Sequence, residues 1–140
     1  MENRPLTADY VSQVFARLEA VAGDAWPCWA FSNHDVPRFI SRWGLSAEAA
    51  RCLPVLMMCL RGTACFYQGE ELGLPEAEVP FERLQDPYGI EFWPEFKGRD
   101  GCRTPMPWQS DAPHAGFSAL PQGTDTWLPI DPRHTRLAAD

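Results

Sequence analysis

The apolar positions between residues 7 and 61 predict two helices. Thr7 is a suitable N-cap for the first helix, and Gly23 is a suitable end. Between them, apolar side chains recur at the spacing of one helical face: Val11, Val14, Phe15, Leu18 and Val21. The second helix is predicted over residues 47–61, with Ser46 as its N-cap and Gly62 just past its end.

Each predicted helix is followed by a short apolar run of the kind found in buried strands: WPCWAF at residues 26–31 and GTACFY at residues 62–67. Two strands joined by a helix form a parallel β-α-β unit, and its connection is right-handed in nearly all proteins. The order helix, strand, helix, strand therefore predicts an α/β fold with a parallel pair of strands.

Polar residues come directly after both predicted strands. Asn33, His34 and Asp35 follow the first strand, and Glu70 and Glu71 follow the second. Parallel sheets carry their ligand sites at the carboxyl ends of the strands, in open sheets and in eight-stranded barrels alike. The sequence therefore predicts a functional site at this edge, with Asp35 and Glu70 on the same side.

These polar residues suit chemistry on a sugar, although each also has a plainer interpretation. Asp35 and His34 could bind sugar hydroxyls; alternatively, Asp35 caps the turn before Pro37 and His34 lies in the core. Glu70 and Glu71 could be the general acid and base of a glycosidase; alternatively, they cap a turn or pair with an arginine.

The regular patterns end at about residue 75. Residues 75–133 are rich in proline, glycine and aromatic residues, with short regular pieces indicated only near 79–84 and 90–96. A connection of this length is expected to be functional or to depend on structure around it. Within it, Arg99 and Arg103 of the RDGCR run could clamp an anion or hold a carboxylate.

Composition excludes several classes of protein. A net charge of −7 argues against a nucleic-acid partner, and no apolar run approaches the length of a membrane span. No secretory signal follows Met1, so we expect a cytoplasmic protein. The five cysteines contain no CxxC, and they are interpreted as small buried apolar residues in a reducing compartment. The three histidines have no zinc-ligand spacing, so no metal site is predicted.

Three longer motifs change this interpretation: WAFSNHDVPR, GTACFYQGEELGL and DPYGIEFWPEFKGRDGCRTPMPW. In this order they resemble the α-glucosidase and oligo-1,6-glucosidase branch of the α-amylase clan, glycoside hydrolase family thirteen, from about Arg4 to Leu137. The resemblance implies a (β/α)8 barrel, of which residues 1–74 would supply the last two strands with their helices. Residues 75–140 would be the long loop after the last strand and the start of the following helix.

The resemblance also implies roles for individual residues. Asp35 would be the third member of a catalytic trio, a transition-state stabiliser that binds the hydroxyls of the glucose at the cleavage point, with His34 assisting. Arg103 would hold the non-reducing end of that glucose, and Arg99 is the alternative. The remaining polar residues, Asn33, Glu70 and Glu71, would support the edge of the site. No cofactor is implied.

The nucleophilic aspartate and the acid/base glutamate of this family lie on strands four and five, which have no counterpart in these 140 residues. We therefore expect a fragment of a retaining α-glucosidase acting on short α-glucosides. The fragment alone is expected to be inactive, to need the N-terminal remainder of the barrel, and to leave its long loop little to pack on. The alternatives are a non-catalytic sugar-binding or assembly module, and a relative that isomerises sucrose or cleaves α-1,6 links.

Overall fold

The computed structural model describes residues 6–121 and 123–140. Its helices are α1 (Ala8–Ala22), α2 (Phe39–Arg42), α3 (Ala47–Cys59), α4 (Pro87–Glu91) and α5 (Pro132–Thr135), and its strands are β1 (Cys28–Trp29) and β2 (Thr63–Ala64). Single 3-10 turns cover Phe81–Arg83, Asp100–Cys102 and Pro113–Gly116. Residues 1–5 of the predicted helix–strand part and Gln122 of the predicted loop lie outside this description.

Helix α1 begins and ends where the sequence predicts. The Thr7 side chain accepts a hydrogen bond from the Tyr10 N–H at 3.2 Å, and Gly23 follows the last turn with a positive φ of 52°. No residue of this helix is fully buried, and Val21 is 88% exposed. The predicted apolar face of α1 is therefore only partly covered. It packs on β1 through contacts such as that between the rings of Phe15 and Trp29.

The two strands are parallel, as predicted, with Cys28 opposite Thr63 and Trp29 opposite Ala64. The Thr63 N–H donates to the carbonyl of Pro27, and the Cys65 N–H donates to that of Trp29, both at 2.8 Å. Each strand is shorter than the apolar run that predicted it. A strand is defined by a paired neighbour, and within the part of the chain that the structure describes each strand has a single partner in a two-stranded sheet.

Helix α3 connects the strands and supplies most of the first core. Ser46 caps it by accepting from the Ala49 N–H at 3.2 Å, and it ends two residues before the predicted Arg61. Ala50 and Leu53 pack on Phe39 of the short helix α2, which the sequence did not predict. Aromatic contacts from Phe31 and Trp43 enclose this cluster.

The segment from residue 75 onwards has a core of its own. Val79, Leu84 and Leu128 are buried against one another, with Trp93 packed on them. The expectation that this segment would have little to pack on is therefore wrong. Its buried apolar residues come from positions without periodic spacing, so no helix or strand pattern reveals them.

The cysteines also depart from expectation. Cys102 is fully buried, whereas the others are exposed in this structure: Cys28, Cys52, Cys59 and Cys65. The exposed four lie on the strand pair and on the outward side of α3, where apolar sequence is not covered by other described residues. None of the described helices is long and apolar enough to cross a membrane.

Candidate active site

The site begins at the turn after β1. The side-chain oxygen of Asn33 accepts a hydrogen bond from the Asp35 N–H at 2.8 Å, so Asn33 closes this turn and the Asp35 carboxylate does not. The side chains of His34 and Asp35 are 69% and 52% exposed. A capping role for Asp35 and a core position for His34 are therefore both wrong, and the two side chains face solvent.

Two arginines from the distant 99–103 segment meet on this carboxylate. Oδ1 of Asp35 accepts from Nη1 of Arg99 and from Nη2 of Arg103, each at 3.1 Å. Nε of Arg103 also donates to the His34 carbonyl at 2.8 Å, while His34 Nε2 lies 3.3 Å from Asp35 Oδ2. Ion pairs this exposed contribute little to stability. Their main effect is to orient the carboxylate, with Oδ2 and His34 on the open side.

The buried carboxylate of Asp86 holds the Arg99 guanidinium in place. Asp86 accepts from Nε and Nη2 of Arg99 at 2.9 Å each, and from the Arg99 N–H at 2.8 Å. These hydrogen bonds lower the pKa of Asp86 to about 2 and raise that of Arg99. The guanidinium also lies 5.4 Å from the centre of the Tyr88 ring. Bidentate pairing gives this arginine one orientation.

A second carboxylate holds the backbone that presents Asp86. Asp100 accepts from the N–H groups of Gln85 and Asp86 at 2.6 and 2.8 Å, and its side chain is buried. Gly98 and Gly89 pack so closely that a Cβ on Gly98 would lie 2.8 Å from the Gly89 Cα. Carboxylates and close glycine contacts thus shape this segment where regular structure is short.

The two glutamates in the turn after β2 differ in burial, because Glu70 lies inside the fold and Glu71 is exposed. Glu70 is buried and accepts from the Tyr67 N–H at 3.0 Å, and burial raises the pKa of its carboxyl. Its Oε1 has no hydrogen-bond partner among the residues described. Glu71 accepts from the Gly69 N–H at 2.8 Å. Turn-supporting roles therefore fit them better than those of a general acid and base.

Asp35 and Glu70 lie at the same edge of the strand pair, as predicted. Ser32, directly after β1, is close enough to Glu70 to influence its carboxyl, and the Arg38 guanidinium donates to the Gln68 carbonyl after β2 at 2.7 Å. The turns after both strands therefore meet. A cluster of three or more metal-ligating side chains does not occur within residues 6–121 and 123–140.

Three residues that build this site were not predicted from the sequence: Arg38, Tyr67 and Asp86. Asp86 carried a usable signal, because Asp followed by Pro is a common helix start, and Asp86 does cap α4 before Pro87. Arg38 and Tyr67 carried none, since their contacts run to backbone groups more than twenty-five residues away in the chain.

The motifs and this geometry agree with comparison to known proteins. The model of the alpha amylase catalytic domain matches residues 3–140. The chain belongs to the alpha-amylase family.

Relatives of the chain are named as glucosidases. The chain is 54% identical to a probable alpha-glucosidase of Rhizobium meliloti, over 92% of this chain and 23% of that protein. It is 34% identical to a glucan 1,6-alpha-glucosidase of Streptococcus dysgalactiae subsp. equisimilis, over 86% of this chain and 26% of that protein. The chain thus spans about a quarter of the length of these relatives.

Solved structures of the family superpose well on the chain. The crystal structure of the alpha-glucosyl transfer enzyme XgtA matches with a TM-score of 0.84 and 54% identity, over 95% of this chain and 24% of that one. The trehalulose synthase MutB of Pseudomonas mesoacidophila MX-45 matches with a TM-score of 0.73 and 26% identity, over 96% of this chain and 28% of that one. The resemblance seen in the motifs is therefore confirmed at the level of family.

Proposed function

We propose that this chain is the C-terminal part of the (β/α)8 barrel of a retaining α-glucosidase that removes terminal glucose from short α-glucosides. Residues 1–74 would form the last two strands with their helices, and residues 75–140 the following loop and the start of the next helix. The parallel β1–β2 pair and the family of the relatives support this assignment. A cytoplasmic location remains a prediction from the sequence.

One observation carries the proposal. The Asp35 carboxylate stands at the carboxyl edge of the strands, oriented by two arginines through Oδ1 and open to solvent beside His34. A carboxylate accepts hydrogen bonds only, and an exposed imidazole can donate or accept. Such a pair is suited to the adjacent hydroxyl groups of one glucose unit.

In this role Asp35 acts on the charge that develops during bond cleavage. In a retaining glycosidase, two other carboxyl groups about 5 Å apart form and hydrolyse a covalent glucosyl intermediate. These two groups would come from the part of the barrel that precedes this chain. Hydrogen bonds from the glucose hydroxyls to Asp35 strengthen as the ring becomes cationic, which stabilises the transition state more than the bound substrate. Arg103, with Arg99 as the alternative, would position the non-reducing end.

A second candidate function is glucosyl transfer to a sugar acceptor in place of water. The similarity to XgtA and to MutB favours it, since these are named as a transfer enzyme and a trehalulose synthase. Both reactions share the covalent step and differ in what attacks the intermediate. The loop from residue 75 onwards borders the site, and it would therefore influence which acceptor attacks the intermediate.

The test is to incubate the full-length protein with maltose, isomaltose and sucrose, following the products by proton NMR. We expect α-glucose as the first product, because two inversions retain configuration. Transfer products or an isomer of sucrose would identify the second candidate function. β-Glucose as first product, or no turnover of any α-glucoside, would disprove the proposal. The 140-residue chain alone, as control, is expected to be inactive.

A further inference from the structure

Arg38 lies three residues after Asp35, and it is almost completely buried at 1% exposure. Its Nη1 donates to the Gln68 carbonyl at 2.7 Å, and its Nη2 donates to the Cys102 carbonyl at 3.3 Å. The guanidinium lies 5.4 Å from the centre of the Tyr67 ring. One side chain therefore connects the turn after β1 to the turn after β2 and to the segment that carries the site arginines.

The backbone of Arg38 is fixed as firmly as its side chain. Its N–H donates to the Glu76 carboxylate at 2.7 Å. A Cβ added to Gly69, whose φ is +91°, would lie 2.7 Å from Arg38 Nη1 and 2.6 Å from Leu74 Cδ1. The guanidinium thus occupies a slot that exists because residue 69 has no side chain, and a different head group would not reproduce its two contacts.

The Cys102 carbonyl is the point at which the arginine segment is anchored. It accepts from Arg38 and also from the Tyr67 hydroxyl, the latter at 2.9 Å. The Cys102 thiol donates to the Arg99 carbonyl at 3.1 Å, and Arg103 is the next residue along the chain. Both arginines that orient Asp35 are therefore one or three residues from a carbonyl held by Arg38.

We propose that Arg38 is a positioning residue for the candidate site: by holding the Cys102 carbonyl it places Arg99 and Arg103 on Oδ1 of Asp35. A buried guanidinium is a poor source of stability, because its desolvation offsets the interactions that it makes. Its contacts are better explained by the geometry they impose. The kinetic part of this inference rests on the proposed function, whereas the anchoring of Cys102 does not.

Arg61 provides a matched control at the opposite end of the strands. Its guanidinium also donates to backbone carbonyls, those of Gly23, Asp24 and Ala25, and lies 5.8 Å from the centre of an aromatic ring, that of Trp26. None of these hydrogen bonds reaches residues 99–103. Arg61→Lys therefore repeats the chemical change of Arg38→Lys without touching the anchor.

The experiment compares Arg38→Lys, Arg61→Lys and the parent in the full-length protein. Lysine keeps the charge but has no planar fork to bridge two carbonyls. The first measurement is the alkylation rate of Cys102 by iodoacetamide, determined by mass spectrometry of its peptide. We expect it to rise about tenfold or more in Arg38→Lys, because the buried thiol becomes accessible when its segment loosens. In Arg61→Lys it should equal that of the parent.

The second measurement is kinetic, on the α-glucoside that the parent hydrolyses. Arg38→Lys should lower kcat by about tenfold or more, since a small displacement of positioning groups has large effects on rate. The loss should be clearly smaller in an Arg103→Ala background, because one of the two arginines that Arg38 positions is then absent and the effects of residues that act through one another are not additive. If Arg38 had a purely structural role, Arg38→Lys would lower kcat by the same factor in the parent and in Arg103→Ala.

The outcomes separate this inference from the proposed function. A folded Arg38→Lys variant with unchanged Cys102 alkylation and unchanged kcat overturns the inference. If the parent hydrolyses no α-glucoside, the proposed function fails while alkylation still decides whether Arg38 anchors the segment. If Arg38→Lys does not fold, Tyr67→Phe removes the other hydrogen bond to the same carbonyl. Because Arg38 still holds the carbonyl in Tyr67→Phe, Cys102 alkylation should stay close to that of the parent. A rise as large as the one expected for Arg38→Lys would overturn the inference, since Tyr67 would then be the anchor.

Discussion

Residues 6–74 contain the two long helices and both strands, yet no side chain of α1 is fully buried. Residues 75–140 contain no described helix longer than five residues, yet they hold five of the eight buried polar or charged side chains in the described chain. The first part has regular backbone with incomplete cover, and the second has irregular backbone fixed by side chains. In the first part, backbone N–H groups are satisfied by the carbonyls of helices and strands. In the second part, side-chain carboxylates accept from backbone N–H groups instead.

The difference predicts unequal local stability in the 140-residue chain. Amide protons in the middle of α1 should exchange roughly a hundredfold faster than those of Asp86 and Arg99, because few buried contacts resist local opening of the helix. Hydrogen exchange measured by NMR or mass spectrometry tests this. Equal protection of α1 and the Asp86 region would show that the two parts open together, which would remove the contrast.

Asp86→Asn should destabilise the chain by about 2–4 kcal/mol, because an amide N–H₂ would replace the oxygen that accepts from Arg99 and leave a buried donor facing another donor. Chemical denaturation measures the change. Asp125→Asn is the matched control: Asp125 is 81% exposed and pairs with Arg83 at 3.4 Å. Its cost should stay within about 0.5 kcal/mol. If the two substitutions lowered stability by similar amounts, the buried Asp86 carboxylate would contribute no more to stability than the exposed Asp125 carboxylate does.

The two site arginines should separate into a supporting and a binding residue. Arg99 donates hydrogen bonds from two guanidinium nitrogens to Asp86 and from one to Asp35, whereas among the described residues Arg103 donates only to Asp35 and to the His34 carbonyl. Arg99→Ala should therefore lower Tm. Arg103→Ala should leave Tm nearly unchanged while it raises KM and lowers kcat, each by about tenfold. If Arg99→Ala abolishes activity without loss of Tm and Arg103→Ala is silent, the roles are reversed.

The smallest effect is expected from pH at the buried His134. Its Nε2 lies 2.8 Å from the Pro75 carbonyl, and burial lowers the pKa of the imidazole. A carbonyl only accepts, so Nε2 carries the proton of the neutral ring. Since the unfolded ring protonates first, the stability that depends on neutral His134 is complete above pH 6.5 and declines below it.

A non-titrating His134→Gln variant should therefore lose less stability than the parent between pH 7 and pH 5. Urea denaturation at both pH values gives the comparison within each protein, so the cost of the substitution itself cancels. Parallel pH dependence of the two proteins would show that His134 does not supply this acid sensitivity.

The predictions from the sequence match the structure best where local chemistry decides the conformation. Thr7, Ser46 and Gly23 marked helix ends because capping involves residues three or four apart in the chain. The parallel strands and the common edge of Asp35 and Glu70 followed from the order of elements. The burial of Glu70 and the exposure of Cys28 and Cys52, by contrast, are decided by packing between segments, and no local pattern reports them.

The sequence predicted which residues form the site better than it predicted how they are arranged. The motifs indicated Asp35, Arg99 and Arg103, and the structure brings these three together. It also assigns Asp35 two arginine partners, where the sequence distinguished one residue for substrate and one alternative. The support from Arg38 and Asp86 depends on contacts across the fold, so it emerges only when both parts of the chain are placed.

If Asp35 stabilises the transition state of glucoside cleavage, as proposed, Asp35→Asn in the full-length protein should lose activity without losing stability. The measurement is kcat for maltose, with Tm recorded on the same sample. The loss of a charged acceptor that strengthens in the transition state should lower kcat by about two to three decades, or roughly 3–4 kcal/mol, with Tm nearly unchanged. A folded variant whose kcat lies within about threefold of the parent, a difference of less than about 1 kcal/mol, would show that Asp35 does not stabilise the transition state.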